Sequence, residues 1–332
     1  MKKIFILLLA VVFVLSGCGK KEEKVIDKFK KTMENTDAYY LKAVMDISND
    51  EDTFNYDVEV YYMKDNFYKV LLKNNVNEHE QVILKNNDGV FVVTPNLNKS
   101  FKFQSDWPNS SSQSYLLNVI LDDINKEENL ELEKEEEGYN VAKVAVNYPN
   151  NVELKYMKVY FDNDGNIKMV KVFNTEDLVR INVEFKDIDY KAKLKEEDFA
   201  LNTVIDGDCC GNTEETGKLE DIIYPLYIPT DTYLKSKETI ETDNGDRVIL
   251  TFAGDKNFVL VEEASKVNSE FEIIPVYGEP LMLTNSVGAM SANSLTWSTN
   301  NVDYYLTSND LTNSEMLTVA HSLTVTNMDI GK

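Results

Sequence analysis

The chain has 332 residues, and its 34 lysines and arginines stand against 57 aspartates and glutamates, for a formal net charge of −23. A field of that sign repels nucleic acid and anionic lipid headgroups, which argues against a nucleic-acid-binding protein. Hydrophobic residues make up 43% of the chain and aromatic residues 11%, which is enough for a large core, and the length favours two domains.

The amino terminus has the order of charge and hydrophobicity typical of a secretory signal peptide. Lys2 and Lys3 precede an unbroken apolar run over residues 4–15. That run is shorter than the ~20 residues of a membrane-spanning helix. It ends at Leu15-Ser16-Gly17-Cys18, which resembles the lipobox of bacterial lipoproteins. The alternative interpretation is an ordinary cysteine at the end of a signal peptide.

The lipobox resemblance implies cleavage between Gly17 and Cys18 and attachment of a diacylglycerol to the Cys18 thiol. Two acyl chains hold a protein stably on a bilayer, whereas one chain does so only marginally. We therefore predict a signal peptide over residues 1–17, a lipidated tether over residues 18–24, and display of the rest at the outer face of the cytoplasmic membrane.

A short amphipathic helix and then a series of strands are predicted after the tether. Val25, Ile26, Phe29 and Met33 fall on one face of the segment KVIDKFKKTMEN. Alternation from Phe54 to Tyr62 indicates a half-buried strand. Turn residues separate further strand-like stretches at residues 67–72, 81–85, 89–94, 100–104, 131–135, 141–148, 153–161, 166–173 and 178–190.

One stretch breaks this pattern. Residues 111–126 have the apolar spacing of a helix, with serine and asparagine at the start as caps. Residues 38–199 thus predict one antiparallel meander of about ten strands with a single helical interruption, and a sheet that large must curl or be covered on one face.

Residues 204–218 are polar and contain glycine, which is typical of a linker. The rest, residues 219–332, predicts a small α+β domain with hairpins at residues 243–246 and 254–257. Further strands are expected at residues 248–252, 258–261, 271–277, 295–298 and 304–307. Thr312 and Glu315 form a capping box, and the helix that follows has an apolar face made of Met316, Val319, Ala320 and Leu323.

Apart from Cys18, the only cysteines are the adjacent Cys209 and Cys210. Neighbouring cysteines form a strained vicinal disulfide, pair with another chain, or stay reduced, and the sequence leaves these alternatives open. A metal or redox site is disfavoured because the two histidines, His79 and His321, are far away in sequence. The segment 162–165, DNDG, lacks the downstream glutamate of a calcium loop and predicts a hairpin turn.

The chain has no motif of a serine hydrolase, zinc protease, P-loop or dinucleotide-binding enzyme. His79 lies in a predicted turn, where Glu78 and Glu80 are expected to raise its pKa, and His321 lies on the last helix. Both fit a structural or solvent-facing role better than a catalytic one. We therefore predict no catalytic, cofactor-binding or metal-binding residues and a non-enzymatic role.

Aromatic residues are dense in the first half and fall on both faces of some strands. Examples are Tyr61 with Tyr62 and Phe67 with Tyr68. Core packing accounts for any one of them, but one face of an antiparallel sheet is commonly solvated. An apolar second face would suit an acyl chain or a segment of a partner protein.

The first half resembles Firmicute lipoproteins of the LolA-like class, including the YdcC-type and GerS-type germination lipoproteins. The resemblance rests on the lipobox, the first helix, the strand series DAYYLKAVMDISNDEDTFNYDVEVYYMKDNFYKVLL and the helix SYLLNVILDDI. The second half resembles a domain of unknown function often attached to such lipoproteins. Its matching stretches are YPLYIP, DRVILTFAGDKNFVLVEE and LTWSTNNVDYYLTSNDLTNSEMLTVAHSL.

This resemblance implies an α+β fold that is mainly antiparallel β: a LolA-like curved half-barrel sheet wrapped on helices over residues 25–203, then a small α+β domain. It implies a membrane-anchored lipoprotein with an accessory role in sporulation or germination, acting through a protein partner such as a cortex-lytic amidase. The alternative is a carrier or sensor of lipid or lipoprotein acyl chains. The Cys209-Cys210 pair departs from the family pattern.

Overall fold

The computed structural model describes residues 19–49, 52–128, 130–134, 138–205, 219, 221–242, 245–266 and 270–323. The predicted cleavage site at Gly17 and Cys18 and the Cys209-Cys210 pair lie outside the described residues. The lipid anchor and the state of the adjacent cysteines therefore stay predictions.

Two sheets and four helices account for most of the described chain. The first half contains α1 (Gly19–Glu34), β1 (Ala38–Ser48), β2 (Thr53–Met63), β3 (Phe67–Asn74), β4 (Glu80–Asn86), β5 (Gly89–Thr94), β6 (Lys99–Phe103), α2 (Leu117–Lys126), β7 (Glu131–Lys134), β8 (Asn140–Ala145), β9 (Leu154–Phe161), β10 (Ile167–Asn174), β11 (Val179–Asp189) and α3 (Leu201–Ile205). The second half contains β12 (Thr232–Thr242), β13 (Gly245–Gly254), β14 (Phe258–Ala264), β15 (Glu272–Val276), β16 (Gly278–Met282), β17 (Val287–Ser291), β18 (Ser294–Thr299), β19 (Val302–Thr307) and α4 (Asn313–His321).

The larger sheet has twelve strands in the order β15-β6-β5-β4-β3-β2-β1-β11-β10-β9-β8-β7, and the smaller has seven in the order β12-β13-β14-β19-β18-β17-β16. Every neighbouring pair is antiparallel except β15 with β6. Both sheets are open, and neither closes into a barrel. The predicted α+β class, mainly antiparallel β, is confirmed.

The predicted meander is split into two parts. β1 pairs with β11, so β1 to β6 extend from this pair in one direction and β11 back to β7 extend in the other. The chain must therefore cross from β6 at one side of the sheet to β7 at the other. The crossing segment contains α2, and this explains why a single helix interrupts the strand series.

The amphipathic patterns predicted for α1 and β2 are confirmed. The four apolar residues of α1, Val25, Ile26, Phe29 and Met33, are all buried. The Phe29 ring lies 5.2 Å from the Phe161 ring of β9, centroid to centroid. In β2, Tyr56, Val58 and Val60 are buried while the residues between them are more exposed, as the period of two requires.

The start of α2 differs from the prediction. The helix begins at Leu117 rather than near residue 111, and no side chain caps it from its own N-cap position. Instead, the Leu117 backbone N–H donates to the Tyr39 hydroxyl of β1 at 3.2 Å. Ser112, predicted as part of the cap, donates its hydroxyl to Asp123 Oδ2 at 2.6 Å. A tertiary contact therefore replaces the local cap.

The second half contributes one strand to the sheet of the first half. Residues 271–277 form the expected strand, β15, but β15 pairs in parallel with β6 of the larger sheet. β12 pairs with β13 across the hairpin that was predicted at residues 243–246, whereas β16 and β17 of the smaller sheet were not predicted from the sequence. The capping box at the start of α4 is confirmed, since Thr312 and Glu315 make both of its hydrogen bonds.

Candidate binding site between the two sheets

The inner face of the larger sheet, the face covered by α1 and α2, is filled by the chain's own side chains. Aromatic and aliphatic residues from the helices and the crossing segment are fully or almost fully buried there, including Phe29, Trp107, Leu116, Leu117 and Ile120. Residues of β17, Val287 and Ala289, complete the same apolar cluster. The hollow of the sheet is thus occupied by helices and by part of the second sheet.

A row of aromatic side chains crosses this inner face. Ring centroids are 4.8 Å apart for Tyr39 and Tyr62, 5.1 Å for Tyr62 and Tyr68, and 5.7 Å for Tyr68 and Trp107. Asn118 of α2 accepts from the Tyr39 hydroxyl and donates to the Tyr68 hydroxyl. Burial raises the pKa of Tyr39 and of Tyr68, so both hydroxyls remain neutral. The Tyr39 hydroxyl as donor and the Tyr68 hydroxyl as acceptor together hold α2 on the sheet.

The opposite face, called the outer face here, is covered as well over β3 to β5. Phe67 and Tyr61 pack in a second apolar cluster with Phe199 and Val204, which follow β11 in the chain. The Phe67 and Phe199 ring centroids are 5.5 Å apart, and Asn86 Nδ2 donates to the Phe199 carbonyl at 2.9 Å. Core packing accounts for these aromatic residues on both faces, and over β3 to β5 the chain itself covers the second face, which the sequence had left open to an acyl chain or a partner segment.

The smaller sheet is fixed to the inner face by buried polar contacts. The Gln81 side chain of β4 accepts from the Val287 N–H at 2.6 Å and donates to the Val287 carbonyl at 3.1 Å. The Tyr56 hydroxyl donates to the Thr284 carbonyl at 2.8 Å. The amide of Gln81 therefore satisfies both backbone groups of Val287 that would otherwise be buried without a partner.

A cavity of about 150 Å³ remains between the inner face and the smaller sheet. Its apolar walls include Ile47, Ile83 and Ile181 from the larger sheet and Leu281, Met282, Leu283 and Val287 from the second half. Its polar lining includes Glu153, Arg180 and His321. Burial lowers the pKa of His321 to about 4, and the positive charge of Arg180 adds to this effect. The imidazole is therefore neutral at physiological pH.

His79 differs from the expectation in its ionisation but not in its location. It lies in the connection between β3 and β4, as predicted. Burial lowers its pKa to about 4, while the Asp303 carboxylate acts in the opposite direction. The predicted increase from Glu78 and Glu80 is wrong, because loss of water around the imidazole outweighs nearby negative charge.

The segment 162–165 forms the predicted hairpin turn between β9 and β10. Asp162 Oδ1 accepts from the backbone N–H groups of Asp164 and Asn166, both at 2.9 Å. Within the described residues, no three histidine, cysteine, aspartate or glutamate side chains come together as a potential metal site. In the same part of the chain, no helix has the length and hydrophobicity needed to cross a membrane.

Comparisons with known proteins identify relatives of the chain. Residues 1–199 match the family model described as sporulation protein YdcC-like. The sporulation protein YdcC of Bacillus subtilis strain 168 is 34% identical over 329 residues, a match that covers 97% of each chain.

Solved structures are similar at lower identity. A lipoprotein-sorting protein domain from Vibrio parahaemolyticus is 13% identical with a TM-score of 0.33, over 55% of this chain and 99% of that one. The GerS lipoprotein–CwlD amidase complex of Clostridioides difficile includes a chain that is 18% identical with a TM-score of 0.24, over 51% of this chain and 95% of that one.

Proposed function

Because the chain belongs to the sporulation protein YdcC-like family, we propose that it is a lipid-anchored, non-catalytic binding protein that holds a protein partner at the outer face of the cytoplasmic membrane. Cys18 carries the diacylglycerol, and residues 19–24, which form the polar start of α1, separate the buried part of that helix from the membrane surface. The partner is an envelope hydrolase, and the resemblance to germination lipoproteins favours a cortex-lytic amidase.

The observation that carries this proposal is the filled inner face of the larger sheet. A carrier of acyl chains needs an open apolar cavity, and binding sites for drug-sized ligands measure about 300–1,000 Å³. The cavity between the two sheets measures about 150 Å³. A cavity near that size accommodates a benzene-sized group. An acyl chain does not fit a cavity of that size, and this supports binding of another protein at the surface of the molecule rather than of a lipid on the inner face.

The ionisation of the histidines agrees with a non-catalytic role. Both His79 and His321 have a pKa of about 4 because burial disfavours the charged imidazole. An imidazole with so low a pKa is a weak general base near neutral pH. Glu262, whose pKa burial raises to about 7, lies in the apolar core of the second half rather than in the cavity between the sheets.

The alternative function, transport or sensing of lipid or lipoprotein acyl chains, is tested by native mass spectrometry. The soluble part of the chain, released from its anchor, is expected at its polypeptide mass with no added lipid. A stoichiometric acyl-chain adduct that survives repeated purification would favour the carrier function instead.

The proposed function itself is tested by co-purification. The full-length lipoprotein with a carboxy-terminal tag is solubilised from membranes of sporulating cells in mild detergent, and the recovered proteins are identified. We expect one envelope hydrolase in near-stoichiometric amount. Recovery of no specific protein, from cells in which the tagged chain supports sporulation, would contradict the proposal.

A further inference from the structure

The two sheets present four edges within the described residues, and three of them are blocked. β7 has only four residues, and three of them are charged. β15 has five residues and contains Pro275, which has no N–H to donate. β16 is partly buried throughout, and its Glu279 accepts from the hydroxyls of Ser105 and Ser110. Short strands, charge, proline and coverage are the usual means of preventing strand addition.

The fourth edge, β12, is long and open. β12 has eleven residues, eight of them exposed, and its only neighbour among the described strands is β13. A bulge between Leu234 and Ser236 interrupts its pairing with β13. From Ser236 to Thr242 the register is regular. This second part of β12 leaves one side of a regular strand available to an additional strand.

The surface around this part of β12 has an exposed apolar residue and more acidic than basic side chains, since Lys237 of β12 and Arg247 of β13 are outnumbered by four carboxylates. Ile240 is 45% exposed, and the exposed carboxylates of Glu238 and Glu241 flank it in the strand. A surface depression next to the strand is lined by Leu219, Asp221, Ile222, Tyr224, Thr239, Asp246 and Val248.

The register determines what a docked strand meets on each face. Thr239 pairs with Val248, so it shares the face of the depression. Ile240 pairs with Arg247 and therefore lies on the opposite face of the sheet. A lysine or arginine of a docked strand that points into the depression would lay its apolar stem along Ile222 and Tyr224 and bring its charge to Asp221 or Asp246. A residue beside Ile240 would be apolar.

We propose that residues 236–242 of β12 bind an extended segment of the partner protein in which apolar and basic residues alternate, and that this segment adds a strand to the smaller sheet. Backbone hydrogen bonds with β12 would hold the segment, and the alternate side chains would specify it. The net charge of −23 adds a general attraction for such a basic segment. This inference rests on the proposed function, since it names the surface that the protein partner uses.

The test uses the full-length lipoprotein in detergent micelles and a labelled peptide of alternating valine and lysine. The peptide is long enough to pair with residues 236–242. A second peptide has the same lysines with proline in place of valine. It carries the same charge, but its prolines have no backbone N–H to donate to β12. The protein variants are Ile240→Lys, at the proposed edge, and Val152→Lys, at a loop position that is 70% exposed. Both variants change the charge equally at solvent-accessible positions.

We expect the valine peptide to bind the wild type and Val152→Lys with similar affinity. Ile240→Lys should reduce its affinity by about tenfold or more, because a lysine on the edge strand repels the peptide's own lysines and lacks the apolar contact. The proline peptide should bind at least about tenfold more weakly than the valine peptide to the wild type. Equal affinity of both variants, equal affinity of both peptides, or no binding of either would overturn the inference.

Co-purification from sporulating cells separates this inference from the proposed function. The docking surface predicts that the partner recovered with the wild type and with Val152→Lys is lost with Ile240→Lys. Equal recovery with all three proteins would leave the proposed function standing and overturn the docking surface. Failure to recover a partner with the wild type would instead contradict the proposed function.

Discussion

The ammonium group of Lys99 lies 3.1 Å from Oδ2 of Asp303, and this ion pair joins β6 of the larger sheet to β19 of the smaller one. The two side chains are only 7% and 12% exposed. Asp303 also accepts from the hydroxyls of Ser265 and Ser298. The contact between the sheets therefore contains a desolvated charge pair whose second member has further hydrogen-bond partners.

Replacement of Lys99 by methionine should destabilise the protein strongly. The substitution keeps most of the apolar stem but leaves the buried Asp303 carboxylate without its counter-charge. Removal of one member of a buried pair costs about 3–5 kcal/mol. The free energy of unfolding, measured with urea, should fall by that amount in Lys99→Met.

The matched control is Lys186→Met. Lys186 pairs with Glu184 at the surface, where the side chains are 52% and 48% exposed. An exposed pair contributes about 0–1 kcal/mol, so this variant should unfold close to the wild type. Similar losses in the two variants would show that the Lys99–Asp303 pair is not a significant contact between the sheets.

Glu262 of β14 should make stability depend on pH. Its side chain is 0% exposed, and its Oε2 accepts from the Ile223 N–H at 3.0 Å. Burial raises its pKa from 4.5 to about 7, so between these values the folded state binds a proton that the unfolded state has released. Glu262 therefore stabilises the folded state less and less as the pH rises from 4.5 to 7, and the loss persists above 7.

The measurement compares wild type and Glu262→Gln at pH 5 and pH 8. The neutral amide of Glu262→Gln should remove this pH dependence. The free energy of unfolding of the variant should therefore rise relative to that of the wild type by up to about 3 kcal/mol from pH 5 to pH 8. Glu238→Gln changes an exposed carboxylate of β12 and should follow the wild type at both values. If the difference in free energy of unfolding between Glu262→Gln and the wild type is the same at pH 5 and pH 8, then Glu262 of the folded wild type is ionised throughout this range.

Phe199 should be required to close the outer face of the larger sheet. Its ring is fully buried against Phe67, and truncation of a buried phenylalanine to alanine costs about 3–5 kcal/mol. Phe199→Ala should therefore lower the free energy of unfolding by that amount and expose an apolar surface that binds a hydrophobic dye. Val152→Ala, at an exposed loop position, should change neither measurement.

Most strands and helices of the first half follow from local patterns, because each pattern depends on residues close in sequence. The period of two in β2 and the apolar face of α1 are of this kind. β12 lacks an alternating pattern because nearly all of its residues are exposed, so only the predicted hairpin turn at residues 243–246 indicated a strand there.

Features that depend on residues distant in sequence could not be predicted from the same patterns. The pairing of β15 with β6 joins residues more than a hundred positions apart. The sequence of a strand does not indicate which other strand it pairs with. The start of α2 is stabilised by Tyr39 from another strand. The pKa of His79 is lowered by burial among distant residues, and adjacent Glu78 and Glu80 gave the opposite expectation.

Cys18 should be the lipid attachment site, and metabolic labelling with palmitate tests this directly. Label should enter the wild type and be absent from Cys18→Ser, because only this thiol follows the sequence Leu15-Ser16-Gly17. Two acyl chains are needed for stable anchoring, so Cys18→Ser should also leave the membrane fraction. The double variant Cys209→Ser and Cys210→Ser keeps Cys18 and should be labelled like the wild type. Label retained in Cys18→Ser, or wild type found uncleaved and unlabelled in the cytosol, would contradict the proposed anchor.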